Sequence, residues 1–477
     1  MNPAAATSPM IETLVQLLGE GAVLTADADR AGYEKGWRYG EGRALAVVRP
    51  RSSAEVARVL AIAAEHGVPV NPIGANTGLV GASNPDATGE QLLLSLERLS
   101  KRIVIDPVDR TVRVDGGVTL SALNAALAEH GLFFPIDLGA DPQIGGMVAT
   151  NTGGTRLLRY GAVRENLLGV EVVLPDGTLV DRMSQLVKDN TGLDWKQLFV
   201  GTFGSFGIVT GAVLKVQPLP KQTVTAWVGV NQAQAVLNLL ARFERASGGT
   251  LSAFEVLSAD ALDITIRHAA NLEQPFDASE LPAYAVLVEL STTLEAELLD
   301  LDAVLLSTLE AHFEEAEDEL ADVFPMAPAV AWNLRHHISE SLALEGVVLA
   351  LDIAVPRARM AAFSAAMRAQ LASSHPQVRV CDFGHWGDGG SHFNLVWPQD
   401  ATDDHAALKL ELQQLVYDTV VRDYAGSYSA EHGVGPHNQR FYDAYTPDAL
   451  KAAARALKQH FDPDRRLGRV PLDGTPE

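Results

Sequence analysis

The sequence predicts an α+β protein built from a glycine-rich first domain, a second domain of different texture and a C-terminal tail. Three observations carry this reading. Over roughly the first 220 residues, short apolar runs alternate with amphipathic helices among many glycines. Gln217-Pro218-Leu219-Pro220 then interrupts the chain, because proline removes a backbone donor and restrains its neighbour. From Thr223 to Ala425 long amphipathic stretches alternate with strands, the pattern of a sheet covered on one side by helices. The expected divisions are residues 1–220, 221–425 and 426–477.

The elements follow in order. Ser52-Ser53-Ala54-Glu55 has the spacing of a capping box, and Val56, Val59, Leu60 and Ala63 recur on one helical face until Gly67. A strand, Val68 to Val70, delivers the chain into Gly74 to Gly81. Leu92 to Leu96 and Thr111 to Val114 read as strands, and Leu120 to His130 as a helix closed by Gly131. Gly145-Gly146 and Gly153-Gly154 read as turns. Gly169 to Leu174 is a buried strand ending at Pro175-Asp176-Gly177, and Gly201, Gly204 and Gly207 precede the strand Ile208 to Val216. In the second domain, helices are expected over Ala233 to Ser247, Thr293 to Ala316 and Pro356 to Ser373, with strands at Tyr284 to Glu289 and Val347 to Val355. After Glu431 come a polar turn and one helix, Pro447 to His460.

Composition narrows the functional classes. A chain of 477 residues exceeds one ordinary core, so two or three domains are expected. Hydrophobic content of 47% with 20% charged residues describes a globular chain. A formal charge of −23 argues against nucleic acid as a partner and requires any anionic ligand to be held by local donors. The single cysteine, Cys381, excludes an internal disulfide or a thiolate metal cluster and fits a reducing compartment. Met1 to Pro9 lacks a basic flank before an apolar stretch, and runs such as Gly346 to Val355 are too short for a membrane span. A soluble, cytoplasmic protein is the expectation.

Two segments carry chemistry. Gly384-His385-Trp386-Gly387-Asp388-Gly389-Gly390-Ser391-His392 and Ser429-Ala430-Glu431-His432-Gly433 together offer two imidazoles and a carboxylate. That set suits zinc or a similar divalent ion and leaves a coordination position open for substrate. His392 to Trp397 alternates with period two, so His392, Asn394 and Val396 share a face. The glycine-rich turn can fold His385 back towards His392, and His432 is available to move a proton. Hydrogen-bonded structural histidines are the bland alternative. Gly74-Ala75-Asn76-Thr77-Gly78-Leu79-Val80-Gly81 can present backbone donors, the Thr77 hydroxyl and the Asn76 amide to a pyrophosphate, or be a plain connection. No G-x-G-x-x-G fingerprint occurs, which argues against a nicotinamide domain. Arg335 is either a bidentate carboxylate clamp or an exposed helical arginine. The acidic run from Glu310 to Asp322 reads as a solvated face.

These segments, with Asn71-Pro72-Ile73-Gly74, Gln143-Ile144-Gly145-Gly146-Met147-Val148-Ala149-Thr150-Asn151 and Gly201 to Thr210, occur in the order seen in one family. The chain resembles the flavin-dependent D-2-hydroxy-acid dehydrogenases of the vanillyl-alcohol-oxidase-like fold, the group of D-2-hydroxyglutarate and D-lactate dehydrogenases and the glycolate oxidase large subunit. The resemblance implies a two-part FAD-binding domain completed by the tail, with a substrate (cap) domain inserted between. It implies FAD contacts from Pro72, Ile73, Gly74, Ala75, Asn76, Thr77, Gly78, Gly81, Ala82, Gly139, Gly145, Ala149, Thr150, Gly154, Gly161 and Ile208. His385, His392 and Glu431 match the metal ligands, zinc first with manganese or iron as alternatives. His432 matches the general base, and Asn394, Arg335 and Ser339, with His432, match substrate contacts. Two positions depart from the family. Relatives read Gly-Ser-Glu-Gly-Thr-Leu-Gly where this chain has Gly201-Thr202-Phe203-Gly204-Ser205-Phe206-Gly207, and hydroxyglutarate dehydrogenases place a lysine at Ala350. No counterpart of a covalent histidyl linkage is visible, so dissociable FAD is expected.

The implied reaction is oxidation of a D-2-hydroxy acid to its 2-oxo acid by hydride transfer to flavin N5. Electrons would then pass to an electron-transfer flavoprotein, a quinone or a cytochrome, and a homodimer is compatible with the family. The rival readings are a flavin oxidase using oxygen on an alcohol and a zinc hydrolase without flavin.

Overall fold

The computed structural model describes residues 3–269 and 271–475; Met1 and Asn2, which open the N-terminal segment read above, lie outside them. Two compact units result: Met1–Gly153, Ala162–Leu219 and His432–Glu477 form the first, and Gly154–Gly161 with Pro220–Glu431 the second.

In the first unit, β1 (Val23–Leu24), β2 (Ala44–Val48), β3 (Val70–Ile73) and β4 (Gln91–Ser95) form a four-stranded sheet in the order β1-β2-β4-β3. The helix Ser53–Glu65 lays Val56, Val59, Leu60 and Ala63 on it, beside Met10 and Leu14 of the helix Pro3–Leu18. Ser52 caps the first of these by accepting from Glu55 N at 3.1 Å, while the Glu55 carboxylate returns to Arg51 N at 2.8 Å. The strand expected at Val68 to Val70 instead runs Val70–Ile73. Pairing decides it, since Val70 to Ile73 lie opposite Leu92 to Ser95. Pro72 is tolerated because β3 is the end strand of its sheet.

The chain continues with β5 (Ile103–Asp106), β6 (Thr111–Asp115), β7 (Leu132–Phe133), β8 (Leu167–Val173), β9 (Leu179–Arg182), β10 (Ile208–Lys215) and β11 (Gln217–Pro218). β7 pairs with β11, and the rest form an antiparallel five-stranded sheet, β5-β6-β10-β8-β9. Its core joins Val112, Val114, Val170, Val172, Ala212 and Leu214 to Leu123 and Leu127 of the helix Leu120–Ala128. Gly145-Gly146 is not a turn; it lies inside the helix Ile144–Thr150. A Cβ at Gly145 would come 2.6 Å from the Val209 carbonyl, so the glycine is there for close helix–strand approach rather than for reversal. The tail adds the helix Gln439–Tyr445, which the reading above leaves as turn, and the helix Asp448–Phe461.

The second unit holds β12 (Gln222–Val230), β13 (Leu251–Ser258), β14 (Tyr284–Thr292), β15 (Leu320–Met326), β16 (Val347–Ala354), β17 (Arg379–Gly384) and β18 (Gly390–Trp397). They form one seven-stranded sheet, β15-β12-β14-β13-β17-β18-β16, antiparallel throughout. Helices cover both faces, not one. On one face Trp227 donates through Nε1 to Ala331 O, and Leu262, Leu334, Ile338 and Leu342 pack on Leu257, Cys381 and Phe383. On the other, Phe363 of the helix Met360–Ser374 meets Phe393 at 5.4 Å between ring centroids. Strands such as β13 and β14 are buried along every residue, which a sheet with one wet face does not allow. The helix expected from Thr293 begins at Leu301, where Asp300 Oδ1 accepts from Ala303 N.

Candidate functional site

Pairing register assembles the polar groups. Directly opposed residues in a sheet project to the same side. Ala253 faces Glu289, Leu257 faces Phe383, Phe383 faces His392, His392 faces Asp352, and Asn394 faces Ala350. Glu255, Glu289, His392, Asn394 and Asp352 therefore share the face covered by the helices Pro328–His336 and Ile338–Glu345. Within that apolar layer they form a polar stripe.

His385 follows β17 and opens the hairpin into β18. Gly384, at φ 115°, turns the backbone there, and Asp388 N and Gly390 N both donate to His385 O. The hairpin brings the His385 and His392 rings to 5.1 Å. Both Nε2 atoms face one oxygen of Glu431, at 3.9 Å from His385 and 3.5 Å from His392. Glu431 is held by β16: its N–H donates to Asp352 Oδ2 at 2.9 Å, and Ala430 N donates to Asp352 O. Donor atoms of Asp352, His392 and Glu431 come within 4.8 Å of one another.

A carboxylate stands on the Nδ1 side of each imidazole. Glu255 lies 2.7 Å from His385 Nδ1, within hydrogen-bond reach, and Asp352 3.9 Å from His392 Nδ1, beyond it. The Glu255–His385 contact is the arrangement in which a second carboxylate orients a metal-binding histidine and leaves Nε2 for the ion. The donor set thus fits a divalent cation. Burial alone would raise the Glu255 carboxyl, but the charges of His385 and Arg335 beside it hold it down at about 2. Burial opposes charge on His385 as well, yet Glu255 wins and lifts it to about 9. A proton and a cation compete for the Nε2 lone pair of His385, so a bound cation would have to displace that proton.

Arg335, in the helix Pro328–His336, is buried rather than exposed. Its Nε donates to Glu255 Oε2 at 2.6 Å and its guanidinium lies 4.8 Å from the Phe383 ring centroid. That leaves the Nη edge for an acid. Asn394 is buried and donates to His392 O at 3.1 Å. Ser339 is exposed on the next helix, and no hydrogen bond joins it to the others among the described residues. His432 follows Glu431 and opens the last segment of the first unit. Sequence reading missed Glu255 and Asp352. The available signal was a lone acid inside each of two apolar strands, β13 and β16.

In the first unit, the loop after β3 meets the helix Ile144–Thr150. A Cβ on Gly74 would lie 3.5 Å from Gln143 Oε1 and 4.0 Å from Gly146 Cα. Positions above Gly78, Gly139 and Gly146 are open, and Gln143 Oε1 is buried with no hydrogen-bond partner among the described residues. An orphaned acceptor beside bare glycine backbone fits a bound dinucleotide. The Asn76 side chain is engaged within the protein: its amide donates to Lys35 O at 2.7 Å and its carbonyl accepts from Ser83 Oγ at 3.0 Å. It braces the loop at φ 57°. Ala82 O accepts from Asn71, Thr150 Oγ1 donates to Gly146 O, and Ala149 O accepts from Phe203 N. Ile208 is a core residue opposite Val173, whereas Gly154 and Gly161 bound a short segment of the second unit.

Comparison with known proteins agrees with this geometry. Residues 44–182 match the model of an FAD binding domain, and residues 219–470 that of the C-terminal domain of FAD linked oxidases. The chain belongs to the FAD-linked oxidase family. It is 34% identical over 429 residues to the mitochondrial D-2-hydroxyglutarate dehydrogenase of Bos taurus, covering 88% of this chain and 75% of that one. It is 33% identical over 464 residues to the D-2-hydroxyglutarate dehydrogenase of Xanthomonas citri pv. viticola, covering 96% and 95%. The solved structure of p-cresol methylhydroxylase with substrate bound aligns with a TM-score of 0.71 at 16% identity, covering 98% of this chain and 97% of that one. This FAD-linked oxidase therefore has the vanillyl-alcohol-oxidase-like fold, and the flavin-free hydrolase reading is set aside. Among the described residues no helix is long and apolar enough to cross a membrane.

Proposed function

We propose that this enzyme oxidises a D-2-hydroxy acid to the corresponding 2-oxo acid. The observation that carries the reading is the meeting of His385 and His392 around one oxygen of Glu431, with His385 backed at hydrogen-bond distance by Glu255. The names of the bovine and Xanthomonas relatives support D-2-hydroxyglutarate as one substrate. Ala350, opposite Asn394 in the register, supplies no cation for a second carboxylate there, so D-lactate and acids with short apolar tails belong to the same reading. A cytoplasmic location is compatible with the Xanthomonas relative, whereas the bovine one is named as mitochondrial.

In this mechanism Arg335 grips the substrate carboxylate through its Nη edge, and Asn394 orients the acid from the same sheet face. His432 removes the hydroxyl proton as general base, the imidazole ring nitrogen accepting it. Residues 72–82 and the helix Ile144–Thr150 would hold FAD, which when bound would supply the hydride acceptor for Cα. His385, His392 and Glu431 would hold a divalent cation, zinc or else manganese or iron, whose Lewis acidity would ease loss of the hydroxyl proton to His432. The balanced outcome would be the 2-oxo acid, a protonated His432 and a two-electron-reduced cofactor that a separate acceptor must reoxidise.

Anaerobic mixing of the yellow flavoprotein with D- and L-2-hydroxy acids tests this. The D acids should bleach the flavin and the L acids should not. No bleaching by any 2-hydroxy acid would overturn the assignment.

A further inference from the structure

One buried carboxylate touches two parts of the site that the reading above treats separately. Glu255, in the middle of β13, is 1% exposed. Its Oε1 lies 2.7 Å from His385 Nδ1 and its Oε2 2.6 Å from Arg335 Nε. The three residues come from different elements: a central strand, the hairpin after β17 and the helix Pro328–His336. A carboxylate is acceptor-only and has two oxygens, so it can accept from both donors at once. A neutral side chain of that size has one acceptor and one donor group, and would oppose one of the two partners.

The neighbouring strand shows what such a carboxylate does when no site residue is involved. Glu289 is equally buried, and it binds Trp332 Nε1 at 2.8 Å, Ser252 Oγ at 2.8 Å and Arg156 Nε at 3.0 Å. Trp332 lies one helical turn before Arg335. Two acids thus pin the same helix to adjacent strands, but only Glu255 reaches an imidazole of the candidate metal site.

We propose that Glu255 is a shared positioning residue. It holds the Nδ1 proton of His385, so that Nε2 is presented to a cation. It also holds the Nε proton of Arg335, so that the Nη edge is presented to the substrate carboxylate. This rests on the metal and substrate reading of the preceding subsection. Glu255 touches neither substrate nor cation and acts through its two partners.

The test uses the complete flavoprotein and zinc alone as the metal probe. Zinc affinity is measured by chelator competition for the unmutated protein, Glu255→Gln, Glu255→Asp and Glu289→Gln, with the melting temperature recorded for each. Glu255→Gln should weaken zinc by about 10- to 100-fold. At saturating zinc it should also raise the KM for the 2-hydroxy acid at least about tenfold, with a smaller change in kcat. Glu255→Asp keeps the charge but shortens the reach, and should recover part of one effect; it carries the test if Glu255→Gln does not fold. Glu289→Gln removes a comparable buried charge and should leave zinc affinity unchanged. Equal zinc affinity in the unmutated protein and Glu255→Gln would overturn the proposal, as would equal weakening in Glu289→Gln. Failure of zinc to bind the unmutated protein would overturn the metal reading itself, and the proposal with it.

Discussion

At the scale of single residues, the departures from the family pattern acquire physical meaning. Phe203, one of the two departures expected from the sequence, has a left-handed conformation at φ 54°, and its ring is packed on Gly433. A Cβ at Gly433 would come 2.3 Å from Phe203 Cζ, and Gly433 itself needs φ 82°, so both sterics and backbone demand glycine. Since Gly433 follows His432, the Phe203 ring supports the turn that carries the proposed base. Gly433→Ala should cost several kcal/mol by analogy with other overpacked or strained sites, read as a lowered melting temperature of the flavoprotein. Adding Phe203→Ala should restore part of the loss by making room, and strict additivity of the two changes would refute direct contact. His432 is tested as the proposed base: His432→Ala should retain flavin and slow its anaerobic reduction by about 100- to 10,000-fold. Near-normal reduction would remove it as base.

At the scale of elements, the helices over the polar stripe are tied down by charge. Glu345, closing the helix Ile338–Glu345, pairs with Arg267 at 2.9 Å, His268 at 2.9 Å and Arg379 of β17 at 3.5 Å. The hydrogen bond to Arg267 leads the effects that hold the Glu345 carboxyl down at about 2, below its ordinary 4.5. A carboxyl depressed on folding contributes stability that is present above its unfolded pKa and disappears as pH falls through the folded one. The contribution should therefore be intact above pH 4.5 and vanish towards pH 2. Glu345→Gln should flatten the melting-temperature profile between those values, and an unchanged profile would show that the cluster contributes nothing.

The same scale shows what the sequence could reveal. Period-two alternation placed His392 and Asn394 on one face, and the glycine-rich hairpin returns His385 to it, because both signals are local. Glu255 and Asp352 were not legible, since register alone sets them beside histidines 130 and 40 residues away along the chain. Gly145-Gly146 misled for a related reason. Glycine marks either a turn or a close approach, and only the neighbouring strand distinguishes them.

At the scale of the whole molecule, the formal charge of −23 sets how reduced flavin can be reoxidised. A field of that sign speeds encounter with cations and slows it with anions, and salt screens both effects over about 10 Å at 0.1 M. Substrate capture through Arg335, as proposed, would act at close range, whereas an outer-sphere acceptor meets the surface. Reoxidation of reduced enzyme by hexaammineruthenium(III), a cation, should therefore slow as sodium chloride is raised from about 10 to 200 mM. Reoxidation by ferricyanide, an anion, should accelerate over the same range. Stopped-flow traces of the flavin absorbance separate the two directly. A common salt response for both acceptors would mean that the local surface at the electron exit, and not the net field, governs the encounter. Opposite responses would direct the search for the natural acceptor towards a protein with a basic docking face.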